Sequence, residues 1–171
     1  MIRAQAPFRS HPEARSMPKF LRAVRLDDSD DHLFKTHGAA REGEWVVSGG
    51  YAVCDFANAP KCDPRCHCES SFLALEGRSR CSIAEVVDVT DEELEAHTDA
   101  LAWFLVKGWG APSWEAARRL AEEEVRHTAD VCESLVPEVW ITVKRTPQAG
   151  GAAVDEQYAV YDRLLIGAHK L

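Results

Sequence analysis

No apolar run in this sequence approaches the roughly 20 residues needed to cross a bilayer, and its 20 basic residues form no Lys/Arg-rich block. The first residues lack the apolar core of about 7–15 residues that marks a secretory leader. The expectation is therefore a cytoplasmic protein, in a compartment where structural disulfides are rare. With a formal net charge of −8 and a pI near 5.4, the chain repels nucleic acid and anionic membrane, so neither is expected as a partner. Also missing are a G-x-S-x-G elbow, an H-E-x-x-H helix and a dinucleotide glycine fingerprint. Gly49-Gly50 lacks the Lys-Ser/Thr of a phosphate loop and reads as a bulge or a close backbone approach.

At 171 residues and 46% hydrophobic, the chain can bury one core and is short for two. Residues 1–17 carry arginines and prolines without apolar periodicity and read as a disordered extension, with Met17 an alternative start. Residues 18–171 read as a single α+β domain, an antiparallel sheet with two consecutive helices packed on one face. Strand-like content runs from Lys19 to Leu26, and Asp27 to Asp31 reads as a solvated turn, since His32 stands where a calcium loop needs glycine. Glu44 to Cys54 resumes an extended pattern. Phe72–Leu75, the turn Glu76–Ser79 and Cys81–Val89 read as a hairpin.

Thr90-Asp-Glu-Glu93 is a capping box, with Val89 and Leu94 as its hydrophobic staple. The helix it opens buries Leu94, Thr98, Leu101, Phe104 and Leu105 and stops near Gly108 or Gly110. Ser113 caps a second helix, with Trp114, Ala117, Leu120, Ala121, Val125, Thr128, Cys132 and Leu135 on one side. Its outer face offers Glu115 with Arg119 and Glu122 with Arg126 at i, i+4. Val139, Ile141 and Val143 alternate as a strand, and Tyr158 to Ile166 completes the sheet.

The chemistry-bearing stretch is 54–68, where Cys54, Cys62, Cys66 and Cys68 crowd around His67. Crowded thiolates persist in a reducing cell when a cation holds them or when they do redox work, and zinc is the default cation. Asp63-Pro64 suits a turn that brings Cys62 and Cys66 together. Cys66 and Cys68 share a side if the backbone is extended, leaving His67 as a substitute ligand. The spacing C-x7-C-x3-C-x-C departs from the paired C-x2-C of common zinc knuckles. An iron-sulfur cluster, a regulatory disulfide and unrelated thiols stay open beside zinc.

Two readings follow: a non-catalytic accessory or interaction protein with a structural zinc site, or a thiol-redox or metal-dependent enzyme centred on Cys66-His67-Cys68. Elsewhere, Glu124-x-x-His127 is half of a di-iron helix motif without its second half and reads as a solvated helix flank. His97 reads as a hydrogen-bonded boundary residue, and Cys81 and Cys132 as inert small hydrophobes. Trp103, Trp109 and Trp140 fall off the apolar stripes and suit a surface for a protein partner or a homodimer.

Lys19-Phe-Leu-Arg leading to Arg25-Leu-Asp, Gly43-Glu-Trp-Val-Val-Ser-Gly49, Phe72-Leu-Ala-Leu75, Gly110-Ala-Pro112 and the Glu-rich run before Cys132 resemble a family of small proteobacterial proteins of unknown function. The resemblance covers roughly Lys19 onward. It implies genes lying among accessory genes of molybdenum and iron-sulfur oxidoreductases, near a biotin/lipoate-ligase-like protein, and hence an accessory role. It supplies no catalytic residue, and the cysteine-rich loop departs from the family pattern.

Overall fold

The computed structural model describes residues 16–52, 67–149 and 154–167. Seven strands form one antiparallel sheet in the order β4-β3-β2-β1-β5-β6-β7. They are β1 (Lys19–Val24), β2 (Trp45–Val47), β3 (Phe72–Ala74), β4 (Arg80–Cys81), β5 (Ile83–Asp88), β6 (Trp140–Pro147) and β7 (Val154–Tyr161). With helices α1 (Ser29–Leu33), α2 (Asp91–Gly108), α3 (Trp114–Glu133) and α4 (Arg163–Gly167), the fold is α+β, as the sequence leads one to expect.

β1 lies at the middle of the sheet because alternation gives both of its faces apolar residues to bury. Phe20 joins a core cluster with Val47, Leu73, Leu101, Leu105, Ala121 and Val125, whereas Leu21 and Ala23 join a second one with Val46, Phe72, Val86, Cys132 and Ile141. Leu101, Ala102 and Leu105 of α2 belong to the first cluster, whereas α3 contributes to both. The two long helices pack chiefly on each other, and α3 also meets β1.

Both helix starts follow their local chemistry. The Thr90 side chain accepts from Glu93 N at 3.1 Å and the Glu93 carboxylate from Thr90 N at 2.7 Å, while Ser113 Oγ accepts from Ala116 N at 3.1 Å. These bonds satisfy N–H groups that have no partner inside their own helices.

The acidic run before His32 departs from expectation. Residues 29–33 wind into α1, and Asp30 is buried, accepting from Ser82 N at 3.2 Å and Ser82 Oγ at 2.5 Å. A carboxylate leaves water when such donors replace its hydration. The same attachment interrupts the expected long strand at Ser82, so Cys81 pairs with Phe72 and Ile83 with Val24. On α3, Trp114 and Leu120 are exposed, and the surface ion pairs join Arg118 to Glu95, Asp99 and Glu122. Arginine reaches across the helix pair as well as along its own helix, which the i, i+4 count did not anticipate. After β7 the chain turns into α4, so the expected strand to Ile166 ends at Tyr161.

Candidate functional site

Ser48 and Gly49 leave β2 just before the cysteine-rich stretch, and two residues of α3 receive them. Thr128 Oγ1 accepts from Ser48 N at 3.0 Å, and Glu124 Oε1 accepts from Gly49 N at 2.7 Å. Thr128 and Glu124 are four apart and so share a helix face. Gly49 has φ +82, and a Cβ there would lie 2.8 Å from that of Leu73. Only glycine lets the backbone pass so close at this angle, so the expected close approach is observed, and a turn of 3-10 helix over Gly50–Ala52 follows.

On the far side of the stretch, His67 takes a left-handed conformation with φ 49 and stacks edge-on against Phe34, with centroids 6.3 Å apart. A second 3-10 turn, Cys68–Ser70, leads to β3, and Cys68 is 1% exposed. The backbone at His67 is therefore left-handed rather than extended. Cys54, Cys62 and Cys66 lie outside the described residues, as does nearly all of the expected N-terminal extension.

Arg145 of β6 joins the two roots of this stretch. Its side chain is 0% exposed. Nη1 donates to the carbonyl oxygens of Cys68 at 3.0 Å and Ser71 at 2.7 Å; Nη2 donates to Ser48 O and, at 3.0 Å, to Ser48 Oγ; Nε donates to Glu156 Oε1 at 3.2 Å. A guanidinium carries five N–H donors, and these five contacts occupy them.

Glu156 of β7 balances the charge. Its Oε2 accepts from Ser48 Oγ at 3.0 Å, from His127 Nε2 at 3.1 Å and from the Tyr158 hydroxyl. Burial by itself would raise this carboxyl, but the hydrogen bonds from His127 and Tyr158 and the charge of Arg145 outweigh it and hold it at about 2. The Glu156 hydrogen bond raises His127 in turn, whereas burial raises Glu124 against the opposing Gly49 N–H.

Chemically, the cluster is closed. The donors of Arg145 and both oxygens of Glu156 are engaged within the protein, so it anchors backbone rather than offering groups to a substrate. Glu124 is 7% exposed, which corrects its reading as part of a solvated flank, whereas His127 is exposed as that reading has it. His97 is also corrected: it is buried between Phe20 and Trp45, and its Nε2 has no hydrogen-bond partner. Cys132 and Cys81 are buried, and desolvation pushes the Cys132 thiol up to about 12 and that of Cys81 well above its usual value, in keeping with inert packing. Among the described residues, no group of three or more His, Cys, Asp or Glu is placed to hold a metal, and no helix is long and apolar enough to cross a membrane.

Sequence reasoning missed Arg145, Glu156 and Ser48. One signal was available: Arg145 is in phase with Ile141 and Val143 on a strand face that is otherwise buried, where a charge demands a partner.

Fold and site together define an α+β protein with an all-antiparallel sheet and a buried ionic anchor at the base of a cysteine-rich segment. The chain belongs to a family of unknown function, DUF6505, whose profile matches residues 17–165. No curated protein and no solved structure is significantly similar to it.

Proposed function

We propose that the protein is a non-catalytic accessory or interaction protein that presents the segment 54–68 as a zinc-ordered loop. The observation that carries this reading is the fivefold engagement of Arg145, which ties Ser48 on one side of the segment to Cys68 and Ser71 on the other. A fixed base suits a metal loop because less chain entropy is lost when the ligands gather. The segment itself has little apolar content beyond Phe56, so an ion supplies ordering free energy that packing does not.

Zinc as thiolate complex fits the donor types Cys54, Cys62, Cys66 and Cys68, with His67 as a substitute. An iron-sulfur cluster would draw on the same thiolates. The enzyme reading centred on Cys66-His67-Cys68 is disfavoured because a redox thiol needs access and Cys68 is buried. The resemblance to genes placed among molybdenum and iron-sulfur accessory functions agrees with a supporting role in the cytoplasm.

A contact surface for a protein partner or second copy is supplied by indoles at the α2–α3 junction. Trp103, Trp109 and Trp114 are 54%, 40% and 41% exposed, with Lys107 over Trp103 and Arg78 over Trp109. Trp140, the third indole of the sequence-based surface, is half-buried in β6.

The test is chelation of the full chain under reducing conditions. Removal of zinc should expose the loop thiols to alkylation while the two-helix core stays folded, and Cys66→Ser should mimic it. Free alkylation of the loop thiols before any chelator is added would overturn the metal reading.

A further inference from the structure

We propose that the exposed face of the α2–α3 pair around Trp103 is the interface for a second copy of this chain. The two copies join about a two-fold axis at Trp103, so that Lys107 of each protomer meets the partner's Asp99. The proposal rests on the reading of the exposed indoles as a contact surface and names what covers them.

The face has an aromatic middle and oppositely charged ends. Glu95, Asp99, Trp103 and Lys107 follow one another at intervals of four along α2, and so form one stripe on the helix surface. Trp103 and Trp114 of α3 are both exposed and meet edge to face, with centroids 6.0 Å apart. Adjoining indoles open to water are the kind of centre that protein interfaces are built on. Lys107 is exposed as well; its Nζ lies 4.4 Å from the Trp103 centroid, and no carboxylate among the described residues pairs with it. At the other end, Glu95, Asp99 and Glu122 share the single guanidinium of Arg118. Three carboxylates around one cation leave that end negative and open to a further cation.

The order of the charges selects the occupant. Four residues of α-helix rise about 6 Å, so Asp99 and Lys107 stand at about equal distances on either side of Trp103. A two-fold rotation there runs the partner's α2 antiparallel and exchanges the two ends, which sets lysine against the acidic cluster twice in one dimer. A parallel arrangement sets like charge against like. The face is thus complementary to itself, with the indoles supplying the apolar contact and the charges fixing its register. It is separate from the Arg145 anchor and uses none of its residues.

The experiment is sedimentation equilibrium of the full chain under reducing conditions, with Lys107→Glu and Asp99→Lys run alone and mixed. The wild type should be a dimer at a chain concentration of about 50 μM. Each variant alone should weaken the dimer at least about tenfold, because a two-fold axis makes every charge reversal count twice. Mixed in equal amounts, the two should form a heterodimer of nearly wild-type affinity, since both contacts then join a lysine to an acid. Far-UV circular dichroism should be unchanged in both, as the positions are exposed and Arg118 keeps Glu95 and Glu122. A wild-type dimer untouched by either reversal, or variants that stay dissociated on mixing, would overturn the assignment. A wild-type monomer would overturn it too, and Trp103→Glu then separates the two readings. A different protein that co-purifies with the wild type and is lost from this variant leaves the contact surface standing with another occupant, whereas none with either chain sinks both.

Discussion

Arg145 and Glu156 stand directly opposite one another on β6 and β7, and their side chains close an ion pair, Nε to Oε1 at 3.2 Å, in which the guanidinium is wholly buried. Breaking such a pair from one side leaves an uncompensated charge and, here, carbonyl oxygens of Ser48, Cys68 and Ser71 without their donor. Arg145→Met should therefore cost about 3–5 kcal/mol, read as a lowered urea midpoint. Arg145→Lys should recover only part of this, because an ammonium cannot reproduce the planar fork. Full recovery by lysine would show that charge alone matters.

Acid should act through the same pair. The Glu156 carboxyl has its folded value depressed from 4.5 to about 2, so its contribution is present above 4.5 and is lost as pH falls towards 2. His127 is shifted the other way, upward from 6.5, so its contribution is complete below 6.5 and fades as pH rises through the raised folded value. Stability measured against pH should show both limbs, and Glu156→Gln should flatten both together. A His127→Gln variant that retains the alkaline limb would assign that limb elsewhere.

Glu124 separates charge from hydrogen bonding. Burial raises its carboxyl, so the ionised form is disfavoured in the fold, yet Oε1 is the acceptor for Gly49 N. Glu124→Gln should leave the unfolding midpoint unchanged or raise it at neutral pH. Glu124→Ala strands the Gly49 N–H and should cost about 1–3 kcal/mol. The two variants behaving alike would mean that this bond contributes little.

The exposed indoles make association testable. Trp103 and Trp114 meet edge to face with centroids 6.0 Å apart, on a surface that a partner would cover. Sedimentation of the full chain should show self-association or a co-purifying protein, reversed by Trp103→Glu with an unchanged unfolding midpoint. A monomer throughout, with no co-purifying protein, would contradict this surface role.

Much of the fold was legible because its signals are local. The Thr90 capping box, the Ser113 cap and the alternation of Ile141 and Val143 each depend on residues within a few positions of one another. What escaped depends on distant partners. Asp30 looks solvated until Ser82 is placed beside it, and Glu124 looks like a flank residue until Gly49, 75 residues away, donates to it. Arg145 was likewise silent, because its acceptors Ser48, Cys68 and Ser71 lie 97, 77 and 74 residues off. The cysteine-rich segment was conspicuous in sequence, whereas the anchor at its base emerges only from the fold.

The central claim, a zinc-ordered loop on the Arg145 anchor, is tested most directly by the metal content of the full chain purified without chelator under reducing conditions. About one zinc per chain in a colourless protein, lost together with loop protection in Cys66→Ser, is the predicted result. A metal-free chain whose fold is indifferent to chelator would contradict it.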